Sequence, residues 1–158
     1  MYKNIFILLS LGVLLFVAGC GDSAKPKDLP ELFPLTINIT SEGKPLKDAV
    51  IDLVADPPLK FQAITATGAD GKAVMKTYNY DGVPAGKFKV VITRDIDDDF
   101  VYTKNSDGSQ GIASSTRYRT LDSKFSKAET TPFEIEVPLK SGENTTFDVG
   151  ETVKIKLD

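Results

Sequence analysis

From Pro34 onward, short runs alternate apolar and polar residues, and that alternation limits the fold more than any other feature. Leu35, Ile37 and Ile39 are separated by Thr36 and Asn38. An extended segment of this kind has one apolar side and one polar side, the mark of a half-buried strand. The same period recurs at Phe88, Val90 and Ile92, with Lys87 and Lys89 between them, and at Phe133, Ile135 and Val137. It returns in Val153, Ile155 and Leu157. Further strands are expected over 49–55, 61–67, 72–78 and 145–149. Gly43-Lys44-Pro45, Gly68-Ala69-Asp70-Gly71 and Lys140 to Glu143 supply turns between them. Asp56-Pro57-Pro58 ends a strand, because proline has no N–H to give to a ladder.

Two regions break this rhythm. Asp95 to Gly111 opens acidic and becomes rich in Gly, Ser and Asn. It reads as a long loop, of the sort that is usually functional. Ala113 to Lys127 has no clean period, and a helical turn is expected around Ser115 to Leu121. No amphipathic helix of ordinary length is present. The expected fold is therefore all-β, a sandwich of about seven or eight strands.

The first 19 residues have a different character. After Lys3, Ile5 to Val17 is apolar except for Ser10 and Gly12. A membrane-crossing helix needs roughly 20 apolar residues, so this shorter run reads as a secretory signal. It ends in Val17-Ala18-Gly19-Cys20, which resembles the lipobox of bacterial lipoproteins. That resemblance implies cleavage after Gly19, lipid on Cys20 and attachment to a bacterial envelope membrane. Gly21, rather than aspartate, follows the cysteine, which by the sorting pattern of some Gram-negative lipoproteins implies the outer membrane. The domain would then face the periplasm or the cell exterior. Residues 20–33 are expected to form the lipidated cysteine and a flexible tether, and 34–158 the domain.

Composition excludes several kinds of chemistry. The chain has no histidine, and Cys20 is its only cysteine. A His-based triad, a His or Cys metal site and a disulfide are all ruled out. Removing the leader takes Lys3 from the 19 basic residues and leaves the 22 acidic ones, so the remainder is mildly acidic. No basic stripe with interleaved aromatics is present, and nucleic acid is not an expected partner.

Three groups of residues are candidates for a site. Asp95, Asp97 and Asp99, with Asp107 and Asn105, carry oxygens that could gather round calcium. They do not follow the EF-hand pattern, because Phe100 stands where its glycine belongs. A solvated acidic loop is the other reading, and in it Arg94, Arg117 and Arg119 pair with the acids. Tyr80, Phe100, Tyr102 and Tyr118, with Tyr78, could form an exposed aromatic surface for a ligand such as a glycan. Ser114, Ser115 and Ser126 lack a base to activate them.

Three stretches together resemble carboxypeptidase regulatory-like domains: Gly43-Lys44-Pro45-Leu46-Lys47-Asp48-Ala49-Val50-Ile51, Thr67-Gly68-Ala69-Asp70-Gly71-Lys72-Ala73 and Val83-Pro84-Ala85-Gly86-Lys87-Phe88-Lys89-Val90. The resemblance covers residues 34–94 and implies a transthyretin-like (prealbumin-like) Greek-key sandwich with no catalytic centre of its own. The expected function is a non-enzymatic binding or structural lipoprotein. It would carry no cofactor beyond its lipid and would contact a protein or glycan. A carbohydrate-binding accessory protein is the alternative, and a hydrolase using paired carboxylates stands behind both.

Overall fold

A computed structural model describes residues 26–157 of the chain. Along it run β1 (Leu32–Phe33), β2 (Thr36–Ser41), β3 (Lys44–Pro45), β4 (Val50–Ala55) and β5 (Ala63–Ala66). Next come β6 (Lys72–Val74), β7 (Lys76–Thr77), β8 (Tyr80–Asp81), β9 (Val83–Pro84) and β10 (Gly86–Thr93). Two ten-residue strands follow, β11 (Asp95–Lys104) and β12 (Gln110–Arg119). A 3₁₀ turn at Ser123–Ser126, β13 (Glu134–Val137), β14 (Thr146–Asp148) and β15 (Ile155–Lys156) complete the chain. The described residues are all-β, and no helix among them is long and apolar enough to cross a membrane.

Most strand pairs are antiparallel, and the arrangement is consistent with a β-sandwich. One sheet has the order β13-β10-β4-β5-β7-β8, and the other is built on β2, flanked by β14, β3 and β6. Among the described residues, only β14 runs parallel to its neighbour, with Phe147 opposite Ile39. The core lies between the two sheets. Ile37 and Ile39 come from β2, Ile51 and Leu53 from β4, and Phe88, Val90 and Ile92 from β10. Ile135 and Phe147 come from β13 and β14, and all of these are buried. These are the apolar positions of the period-two runs, so the alternation reports which face turns inward.

Thr67 ties one end of this core. It is 3% exposed, donates its hydroxyl to the Leu46 carbonyl at 2.6 Å and accepts the Ala49 N–H at 2.9 Å. Two backbone groups that the irregular 46–49 segment would otherwise bury unpaired are satisfied by one side chain.

Register defines the two ends of the sandwich. Phe88 lies opposite Ala55, Leu53 opposite Ala63, and Ala63 opposite Thr77. The 56–62 loop, the Tyr78-Asn79 turn and the start of β10 therefore share one end. Thr93 lies opposite Val50, and Val50 opposite Ala66, so Arg94 leaves from the other end.

Four expectations change. Leu32 and Phe33 are not tether but strand, paired with Pro84 and Val83, because their apolar side chains are half-buried there. The 72–78 strand is two short strands separated at Met75, whose side chain is fully buried. Asp95–Gly111 is not a loop, and Ser115–Leu121 holds no helical turn; both belong to a hairpin. Val153 and Ile155 do not close the core. They are exposed, and β15 pairs with the hairpin instead. The leader and Cys20 lie outside the described residues.

Candidate functional site

β11 and β12 form one long antiparallel hairpin, with Asp95 opposite Arg119 at its base and Lys104 opposite Gln110 near its tip. Among the described residues its strands pair only with each other and with β15. The base is fastened. Arg94 donates from Nε to the Lys47 carbonyl at 2.8 Å and from its guanidinium to Thr120 Oγ1 at 3.0 Å. The turn is closed by Asn105 N–H donating to the Ser109 carbonyl at 2.8 Å and by Gly108 at φ +86°.

The outer half of the hairpin exposes apolar side chains that none of the described residues covers. Tyr102 lies opposite Ile112, and each is 61% exposed. The Phe100 ring lies 6.4 Å from that of Tyr102. Val101 is also exposed and lies opposite Ser114. Register shifts between Asp98 and Val101 and between Val101 and Tyr102 mark bulges, and Asp99 there takes φ +53°. Bulges increase local twist and re-aim side chains, and they interrupt the regular edge that another strand would need.

Below this apolar region the hairpin is laced by charge. Asp97 accepts from Arg117 Nε at 3.2 Å, and Asp95 from Arg119 Nε at 3.4 Å, each pair directly opposed across the strands. Lys154 donates to Asp98 at 2.8 Å, and its ammonium stands 4.2 Å from the centre of the Tyr118 ring. The Tyr118 hydroxyl donates to Asp99. The Lys154 hydrogen bond holds the Asp98 carboxyl below its ordinary value of 3.8, and the same contact raises Lys154 above 10.5. The Asp98 contribution is present above about pH 3.8 and is lost as pH falls through the lowered value. That of Lys154 is present below 10.5 and is lost as pH rises past the raised one. Protection of the Val153 and Leu157 amides, which donate to the Thr120 and Arg117 carbonyls, against hydrogen exchange is therefore expected to be flat near neutrality and to fall in acid below about pH 3.8. Both groups are solvent-exposed, so the loss should be small.

The acids proposed as calcium ligands are thus committed elsewhere. Asp95, Asp97 and Asp99 face Arg119, Arg117 and Tyr118, and Asp107 sits at the far end, accepting from Ser109 N–H and Oγ. Asn105 bonds Ser109 Oγ at 2.9 Å. The structure does not bring these ligands together, and among the described residues no group of three or more acidic, His or Cys side chains could hold a metal ion. The aromatic surface is assembled only in part. Phe100 and Tyr102 share the outer hairpin, and Tyr118 lies nearer its base. Tyr80 is in β8 of the six-stranded sheet and half-buried, while Tyr78 is exposed at the opposite end of the sandwich.

Ser114 and Ser115 are exposed hairpin residues, and Ser126 Oγ donates to the Ser123 carbonyl. A shallow polar depression of about 500 Å³ holds Glu134, Glu136 and Glu143 beside Lys87 and Lys89. Lys89 and Lys140 hold Glu134 and Glu136 below the ordinary carboxylate range. A general acid needs the opposite shift. Sequence reasoning missed Val101 and Ile112 as site residues. The signals that could have found them are the β-prone run Phe100-Val101-Tyr102-Thr103 and the Gly108 turn midway to Ile112. No family model, curated protein or solved structure matches the chain.

Proposed function

We propose that this chain is a non-enzymatic lipoprotein of the bacterial envelope, anchored through lipid on Cys20, whose β11–β12 hairpin binds a partner protein. The resemblance of residues 34–94 to carboxypeptidase regulatory-like domains supports a transthyretin-like Greek-key sandwich as the scaffold. The observation that carries the binding role is the pair of ten-residue strands whose outer half exposes Phe100, Val101, Tyr102 and Ile112. Exposed apolar residues set together on one element mark interaction sites. Tyr102 shares a face with Ile112, which lies directly opposite it, and such a mixed aromatic and aliphatic patch suits a protein groove better than a sugar, which would need one flat stacking platform. The rings of Phe100 and Tyr102 are tilted 38° to each other.

The anchor is tested on its own. Metabolic acyl labelling and membrane fractionation of the Cys20→Ala variant should show loss of label and release from membranes. A Cys20→Ala protein that still sediments with membranes would remove the lipid-anchor reading.

A further inference from the structure

Resting on the reading of Cys20 as lipidated, we propose that the end of the sandwich bearing Leu59, Phe61 and Tyr78 lies against the bilayer that holds the anchor. The hairpin is then presented from the end facing away from it.

Six residue steps separate Cys20 from Pro26, and at full extension they span at most about 20 Å. From Pro26 the chain does not hang free. Asp28 forms an ion pair with Lys60, and Leu32–Phe33 pairs with Val83–Pro84. A groove of about 410 Å³ separates this segment from the 56–62 loop, lined by Asp28, Phe33, Leu59, Phe61 and Pro84. The anchor thus holds one particular end of the domain within about 20 Å of lipid, which raises its local concentration at the surface to the millimolar range. A weak contact is then enough.

That end is built for such a contact. Leu59 is exposed, and Tyr78, 56% exposed, meets Phe61 edge-to-face with centroids 5.8 Å apart. Tyr78 adopts φ +54°, a left-handed conformation that a bulky residue pays for in strain and that glycine or asparagine would take more easily. The turn keeps an aromatic on display. Tyrosine is enriched at membrane–water boundaries, where its amphipathic ring sits at the level of the headgroups. Lys60 stands 5.6 Å from the Phe61 ring centre. Lys27, Lys60 and Lys87 stand at this end with Asp28, Glu31 and Asp56, and Glu136 and Glu143 lie beside Lys87. The contact therefore rests on its apolar side chains and not on charge. Arg94 and the hairpin root lie at the other end of β10, whose eight residues put about 25 Å between the two.

The test uses the full lipidated protein. With Cys20 acylated, an introduced cysteine is the only free thiol. Leu59→Cys, Tyr78→Cys and Tyr102→Cys are each labelled with a small fluorophore. They are reconstituted in vesicles of phosphatidylethanolamine and phosphatidylglycerol containing a headgroup-nitroxide lipid. Labels at 59 and 78 should lose most of their emission, while the label at 102 keeps it. Acylated, vesicle-bound protein with equal emission at all three positions overturns the proposal and leaves the anchor intact. Energy transfer between labels at 59 on separate copies, without nitroxide quenching, also overturns it, because a second copy then covers this end. Protein that carries no acyl group and does not float with vesicles overturns the anchor and the proposal together.

Discussion

Gly71→Ala is expected to destabilise the domain by about 3 kcal/mol, combining a left-handed backbone cost with overpacking. Gly71 closes the Gly68–Gly71 turn at φ +74°. A Cβ there would stand 2.7 Å from the Ile39 carbonyl oxygen, 3.0 Å from Pro45 Cα and 3.1 Å from Leu46 N. None of these atoms can move alone. The Ile39 carbonyl accepts the Leu46 N–H at 2.9 Å, and the Ile39 N–H donates to the Gly71 carbonyl at 2.8 Å. Shifting any of them opens β2, the strand that carries Ile37 and Ile39 into the core. Urea unfolding of the two proteins gives the answer. The midpoint should fall with little change in slope, and a change below about 0.5 kcal/mol, the size of an ordinary surface substitution, would contradict the account.

Excising the hairpin should do the reverse, sparing the fold and removing the function. Thr120 N–H donates to the Arg94 carbonyl at 2.8 Å, so the two ends of the excised segment already touch. Replacing residues 95–119 with Asn-Gly closes that gap by a two-residue turn of the type suited to a hairpin. The core residues contributed by β2, β4 and β10 are untouched, and Leu121 stays on the retained side. Stability is expected to change by no more than about 1 kcal/mol, the typical size of a single mild substitution, while partner binding is lost altogether. A truncated chain that fails to fold would show that the hairpin is part of the scaffold.

The sequence revealed the sandwich where one face of a strand is buried. Leu35, Ile37 and Ile39, and again Phe88, Val90 and Ile92, alternate because the core selects every second side chain. The hairpin has no such selection. From Asp99 to Lys104 and from Ile112 to Ser115 both faces meet solvent, so no period arises and the segment imitates a loop. A trace of its pairing was nonetheless present in the charges. Asp95 and Asp97 precede the turn by the same steps at which Arg119 and Arg117 follow it, as antiparallel register requires. The expectation that these arginines meet the acidic run holds for Arg117 and Arg119. Arg94 instead fastens the hairpin root. Val153 and Ile155 misled in the opposite sense: their alternation was regular, yet β15 is an edge strand on the hairpin, where the apolar side is left uncovered. Thr67 could not be read as a staple, because its partners Leu46 and Ala49 are brought to it only by the fold.

The measurement that tests the central claim most directly is in-cell photo-crosslinking of the full-length protein from single positions. A benzophenone amino acid is placed at Tyr102 or Ile112 on the hairpin, and at Ile64 or Val74 on exposed faces of the two sandwich sheets. The account predicts one and the same protein adduct from Tyr102 and Ile112, absent from Ile64 and Val74, and abolished when Phe100 is replaced by aspartate. Adducts of equal yield from all four positions, or none from the hairpin, would contradict it.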